Sequence, residues 1–109
     1  MPYNTELEKK LDREAHEMGI DDKKKMFGGI AYMFRGNMAF GIHKEWLIIR
    51  TSPDDSCEWV KKEGVKMFDI SGRPMKGWLM IEPESIKTDK QLSDFLKLSL
   101  RYVKTLPQK

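Results

Sequence analysis

The sequence predicts an α+β fold, a two-layer sandwich in which helices pack on a mostly antiparallel five-stranded sheet in the order α-β-β-β-α-β-β-α. Three observations carry that expectation. Apolar residues recur at helical spacing near both ends of the chain. Between those segments lie short runs that alternate apolar and polar or are apolar throughout, as strands do. Turn-forming clusters of Gly, Asn, Pro and Asp separate the runs. No linker, internal repeat or low-complexity stretch interrupts the 109 residues, so residues 1–109 read as a single domain.

The first helix is expected from about Glu6 to Met18. Thr5 and Glu8 have the spacing of a capping box, and Leu7, Leu11, Ala15 and Met18 fall within one narrow arc. Gly19 follows in the position of a left-handed C-terminal cap. Asp21-Asp22-Lys23-Lys24-Lys25 reads as a polar connection or a short turn of helix. A hairpin comes next: Ile30, Tyr32 and Phe34 alternate on one strand, Arg35-Gly36-Asn37 makes the turn, and Met38, Phe40 and Ile42 alternate on the return. After His43-Lys44-Glu45, the run Trp46–Arg50 is apolar on both faces, as a central strand is. Ser52, Pro53, Asp54 and Asp55 announce a second helix to about Lys62, with Ser56, Trp59 and Val60 inward. Gly64 ends it. Strands over 65–70 and 76–81 are joined by the turn Ser71-Gly72-Arg73-Pro74. Residues 82–87 form a loop. Thr88 with Gln91 caps a third helix from about Asp89 to Lys104, whose apolar residues spread over more than half its circumference.

Composition narrows the functional classes. With 39% hydrophobic and 34% charged residues, the chain suits a globular domain with a busy surface. Its apolar runs are too short for a membrane helix, and Met1–Glu6 lacks the charged and apolar regions of a signal peptide. A single cysteine, Cys57, rules out an internal disulfide. The cytoplasm is the expected compartment. The net charge of +3 is unevenly spread: residues 1–56 hold 9 Lys and Arg against 10 Asp and Glu, and residues 57–109 hold 11 against 7.

Chemistry is sparse. Gly36-Asn37-Met38-Ala39-Phe40-Gly41 has the glycine spacing of a phosphate loop, but Ile42-His43 stand where Lys and Ser or Thr are needed. Gly28-Gly29 leads into a strand, so it offers no helix N-terminus to an anion. One Cys and two His without ligand spacing build no typical zinc site. Cys57 lies among Asp54, Asp55 and Glu58, which disfavour a thiolate. Asp69 and Glu82 at strand ends, with His43, would need a pocket to act as acid or base. The expectation is therefore no catalytic residue, no metal and no cofactor.

Three readings remain. A small ligand-binding protein or an enzyme of unidentified substrate would need a lined cavity holding Asp69, Glu82 or His43. A nucleic-acid-binding accessory role would use Arg35, Arg50, Arg73 and Lys76 at strand ends and turns, with Lys97, Arg101 and Lys104 on one side of the third helix. Tyr32, Phe34 and Trp78 would offer stacking surfaces if they are not core. The leading expectation is a non-enzymatic interaction module that forms a homodimer. Strands apolar on both faces and the wide stripe of the third helix leave more apolar surface than three helices cover.

Lys25-Met26-Phe27-Gly28-Gly29-Ile30, an aromatic strand, Gly36-Asn37-Met38, Phe40-Gly41 and Leu47-Ile48-Ile49-Arg50 together resemble the N-terminal domain of the TfoX/Sxy family. Gly72-Arg73-Pro74-Met75-Lys76-Gly77-Trp78 is similar to a pattern of its stand-alone members. The resemblance covers about Leu7 to Val103. It implies a secretion-chaperone-like fold and a relation to bacterial competence regulators, which act with other transcription factors. It brings no established catalytic set. Longer members carry a C-terminal helical domain, and a chain ending at Lys109 is expected to lack it.

Overall fold

The computed structural model describes residues 5–20, 22–26, 29–68 and 75–107. Three helices and one sheet account for most of them: α1 (Thr5–Glu17), β1 (Asp22–Met26), β2 (Gly29–Phe34), β3 (Asn37–His43), β4 (Trp46–Arg50), α2 (Pro53–Trp59), β5 (Val65–Phe68), β6 (Met75–Ile81) and α3 (Asp89–Val103), with a 3-10 turn at Pro83–Ile86. The sheet runs β1-β2-β3-β4-β6-β5 and every neighbouring pair is antiparallel. β6 enters between β4 and β5, and α2 bridges the two strands it separates. The fold is α+β, as expected, with six strands instead of five.

The additional strand is Asp22–Met26, expected as a polar connection. Its Lys23, Lys24 and Lys25 are exposed, and it pairs only with β2. Lysine on an edge strand blunts pairing with other chains, so the segment carries no apolar alternation to betray it. The β2–β3 turn is also tighter than expected. Arg35 and Gly36 take positive φ, 52° and 81°, and Asn37 already belongs to β3. Buried Asn37 donates through its side-chain amide to the Pro107 carbonyl at 2.9 Å. α1 begins with Thr5 already helical, and the Glu8 carboxylate meets Lys23 at 3.0 Å. α2 is shorter than expected and ends at Trp59. The Thr88–Gln91 capping box forms as predicted.

The core lies on one face of the sheet. The register places Ile30, Tyr32, Phe40, Ile42, Leu47, Ile49, Leu79, Ile81 and Val65 on that face. They form a single cluster with Leu7, Leu11 and Ala15 of α1 and the inner side of α3. Each such side chain taken fully out of water contributes about 1.5–3 kcal/mol. α3 buries Leu98 and Leu100 as well as Leu92, Phe95, Leu96 and Val103. Its wide stripe is therefore covered within the chain.

Polar contacts fix the helices to this layer. Ser99 Oγ donates to the Ala39 carbonyl beside the β2–β3 irregularity. Fully buried Ser56 Oγ accepts from the Gly77 amide at 2.9 Å and donates to Pro53 at 2.8 Å. Tyr32 Oη donates to Asp12 at 2.6 Å, and Lys23 Nζ reaches both Glu8 and Asp12 at 3.0 Å.

Within the sheet, β2 and β3 approach too closely for side chains at two positions. A Cβ on Gly29 would run into the Ile42 carbonyl oxygen, and one on Gly41 into the Ile30 carbonyl oxygen. Both obstacles are backbone and cannot swing aside. Gly41→Ala is expected to lower unfolding free energy by about 2 kcal/mol or more, read from the urea midpoint. An unchanged midpoint would refute the close approach.

The lysine bridge predicts a pH signature. Burial pulls the Lys23 pKa down, but hydrogen bonds to Glu8 and Asp12 and their charges together outweigh it, leaving the pKa raised above the ordinary 10.5. The charged form is thus favoured in the folded state. Its contribution is complete below the unfolded value of 10.5 and is lost as pH rises through the folded value. The ammonium is partly exposed, so Lys23→Met should cost less than about 1 kcal/mol at neutral pH. That difference from wild type should vanish above the folded-state pKa in paired denaturation curves. A difference that persists there would assign the loss to packing.

Candidate functional site

The opposite face of the sheet carries none of the three helices. Its layout follows from strand register. One row crosses all six strands, from Lys24 on β1 through Ala31, Gly41, Ile48 and Met80 to Lys66 on β5. Ala31, Gly41 and Ile48 are buried at its centre, Met80 is half-buried, and both terminal lysines are exposed. On β4, two residues to either side of Ile48, stand Trp46 and Arg50. Arg50 pairs in register with Trp78, and Trp46 with His43. Trp46, Trp78, Arg50, His43 and Met33 are half-buried. The middle row is small at Ala31 and Gly41 and bulkier at Ile48 and Met80, and half-buried indoles stand to either side of it.

Cations accompany the rings. The Arg50 guanidinium lies 5.2 Å from the Trp78 ring centroid and 5.9 Å from that of Tyr102, where the end of α3 reaches the sheet's rim. Lys66 Nζ lies 5.3 Å from the Trp46 ring. Such contacts hold a long cationic side chain in place while its polar head stays accessible. Among the described residues, no carboxylate lies within ion-pair distance of Lys24, Arg50 or Lys66. His43 and Phe68 meet edge-on at 6.0 Å although β4 and β6 separate their strands.

The residues expected to contact nucleic acid fall on different parts of the molecule. Arg50 is on the helix-free face. Arg35 is exposed in the hairpin turn, 5.1 Å from the Phe34 ring. Lys97, Arg101 and Lys104 are exposed on the outer side of α3, across the sheet from that face, and Arg101 lies 3.5 Å from Asp55. Arg73 and the Lys76 side chain lie outside the described residues, as do Gly28 and Asp69. Of the expected stacking rings, Tyr32 is core and sits 5.2 Å from Phe40. Phe34 is half-buried against the core, and Trp78 belongs to the open face. Sequence reasoning missed Trp46, Lys66 and Lys24 as companions of Arg50. The available signal was parity: Trp46, Ile48 and Arg50 alternate with core residues on one strand, but their cross-strand partners need the register.

Glu82 does line a cavity. A groove of about 450 Å³ opens between α2, α3 and the 3-10 turn, with Trp59 and Phe95 edge-on at 5.3 Å and Glu82, Glu84 and Asp94 around it. No histidine lines it, and His43 lies on the far side of the sheet. Among the described residues, no group of three His, Cys, Asp or Glu is placed to hold a metal ion. No described helix is long and apolar enough to cross a membrane.

If the open face is a working surface, its rings should matter little to folding. Trp78→Ala is expected to cost roughly 1–2 kcal/mol, against about 3 kcal/mol for Leu79→Ala next to it in the core. Chemical denaturation of the two variants makes the comparison. Equal losses would make Trp78 a core residue.

No curated protein and no solved structure matches this chain. A family model described as the TfoX N-terminal domain matches residues 16–103, a span from the end of α1 to the end of α3 that takes in the whole sheet. The chain belongs to the TfoX N-terminal domain family.

Proposed function

We propose that this protein is a regulatory binding module without chemistry of its own, of the kind that competence regulators carry. Family membership supports the regulatory half of the reading. The helix-free sheet face carries the other half: it gathers half-buried Trp46 and Trp78 with Arg50 and Lys66 on one side of the sheet. Aromatic rings and arginine are the residue types that dominate binding energy at recognition surfaces.

A homodimer was expected from surplus apolar surface. Leu98 and Leu100 of α3, and Leu47, Ile48 and Ile49 of β4, are all buried within one chain. Among the described residues, the helix-free face leaves half-buried rings beside cations, and a two-fold contact through it would oppose like charges. That weighs for a partner of another kind, in keeping with a transcription-associated role.

Overproducing the protein in its source cell should change the levels of a defined set of transcripts, read by RNA sequencing. The double variant Arg50→Ala/Trp78→Ala, accumulating to the same level, should leave that set near its uninduced state. An identical response to wild type and variant would remove the face from the function. No response to either would remove the regulatory role.

A further inference from the structure

We propose that the helix-free face binds single-stranded nucleic acid, with bases stacked on Trp46 and Trp78 and phosphates held by Lys24, Arg50 and Lys66. This rests on the reading above that this face is the working surface. Trp46 and the Arg50–Trp78 pair are four residues apart along the strand direction, about 13 Å at the usual strand rise. Open sheets of RNA-binding modules stack about two or three bases over such a surface. Between the two rings on β4 and β6 stand buried Ile48 and half-buried Met80, and the same row continues through the small residues Gly41 and Ala31 on β3 and β2.

Charge selects the same occupant. Lys24 and Lys66 stand at opposite ends of a row six strands wide, and Arg50 lies between them. Against these three cations the register of the described residues puts one exposed carboxylate on this face, Asp22, opposite Met33 at the β1 edge. A guanidinium displaced from the indole by a base brings its planar fork of donors to the phosphate oxygens. Duplex DNA hides its base faces, so the rings would find nothing to stack on; single strands expose them. A second copy of the chain would bring like charges together. An acidic protein segment would meet the lysines but leave the ring faces without a matching surface.

The test is fluorescence anisotropy of the full chain with labelled oligo-dT and oligo-U of about 15 nucleotides, and with a duplex of the same length. Both single strands should bind more tightly than the duplex. With about three phosphate contacts, affinity should fall about twentyfold between 50 and 200 mM monovalent salt. Trp46→Ala and Trp78→Ala should each weaken binding about tenfold, and Trp46→Phe, which keeps a ring, should restore most of it. Lys97→Ala/Lys104→Ala on the outer side of α3 should leave affinity unchanged.

The proposal is overturned if neither strand binds at 50 mM salt, if the duplex binds more tightly, or if the α3 variant weakens binding as much as the sheet variants do. It is also overturned if sedimentation shows a dimer that Trp46→Ala dissolves, because a second copy would then occupy the face. Failure of oligonucleotide binding with an intact, Trp78-dependent transcript response would reject the ligand class and leave the module reading standing.

Discussion

Three helices cannot cover both faces of a six-stranded sheet in a chain of 109 residues, and the structure resolves this by putting all three on one side. Burial is then concentrated. α1, α2 and α3 share one apolar cluster with alternate residues of β2 to β6, and the stripe of α3 is wide because it packs against strands, α2 and the 3-10 turn together. The other face is left to whatever its own side chains can do. Its centre is closed by small residues and Ile48, and its margins carry Trp, Met, Arg and Lys. The division between stability and recognition follows from this one-sided packing.

The layer is held in register by backbone proximity and by a few directional contacts. At Gly29 and Gly41 the β2 and β3 backbones meet without room for a Cβ, which fixes that pair against slippage. Ser99 on the Ala39 carbonyl, Ser56 on the Gly77 amide and Asn37 on the Pro107 carbonyl each tie a helix or the chain after α3 to a strand. Two of the three use a serine on a helix. Its hydroxyl reaches a strand backbone group that would otherwise be buried without a partner, an omission that costs about 1–3 kcal/mol. Apolar burial gives the layer its stability, and these bonds specify which alignment is stable.

Much of this was legible from the residues. Helical spacing located α1 and α3, the Ser52-Pro53 and Thr88–Gln91 signals located two helix starts, and alternation located the hairpin. β1 was not legible, because an edge strand protected by lysines has neither alternation nor apolar content. Arg35 at positive φ was not legible either, since nothing in its side chain favours that region; the twist of the hairpin imposes it. The candidate surface was readable only in part. Arg50 and Trp78 stood out individually, whereas their pairing depends on β6 inserting between β4 and β5. That is a tertiary choice with no local signature. Lys97, Arg101 and Lys104 were correctly placed on one exposed side of α3, yet helix periodicity could not reveal that Tyr102 is the α3 residue that meets Arg50.

The same topology explains why cations and indoles are found together. On a face with no helix above it, a tryptophan at a central strand position cannot be fully buried. A neighbouring long side chain covers part of the ring instead, as Lys66 does for Trp46 and Arg50 for Trp78. These contacts are worth about 0.5–1 kcal/mol at exposed sites, enough to bias rotamers and too little to lock them. A ligand with flat aromatic groups and negative charge can take the ring face while the displaced cation swings to the charge. The exchange conserves the number of favourable contacts and adds a charge-assisted one. A surface arranged in this way is held in readiness by interactions of the same type that its partner would make, so binding needs little reorganisation of the sheet beneath it.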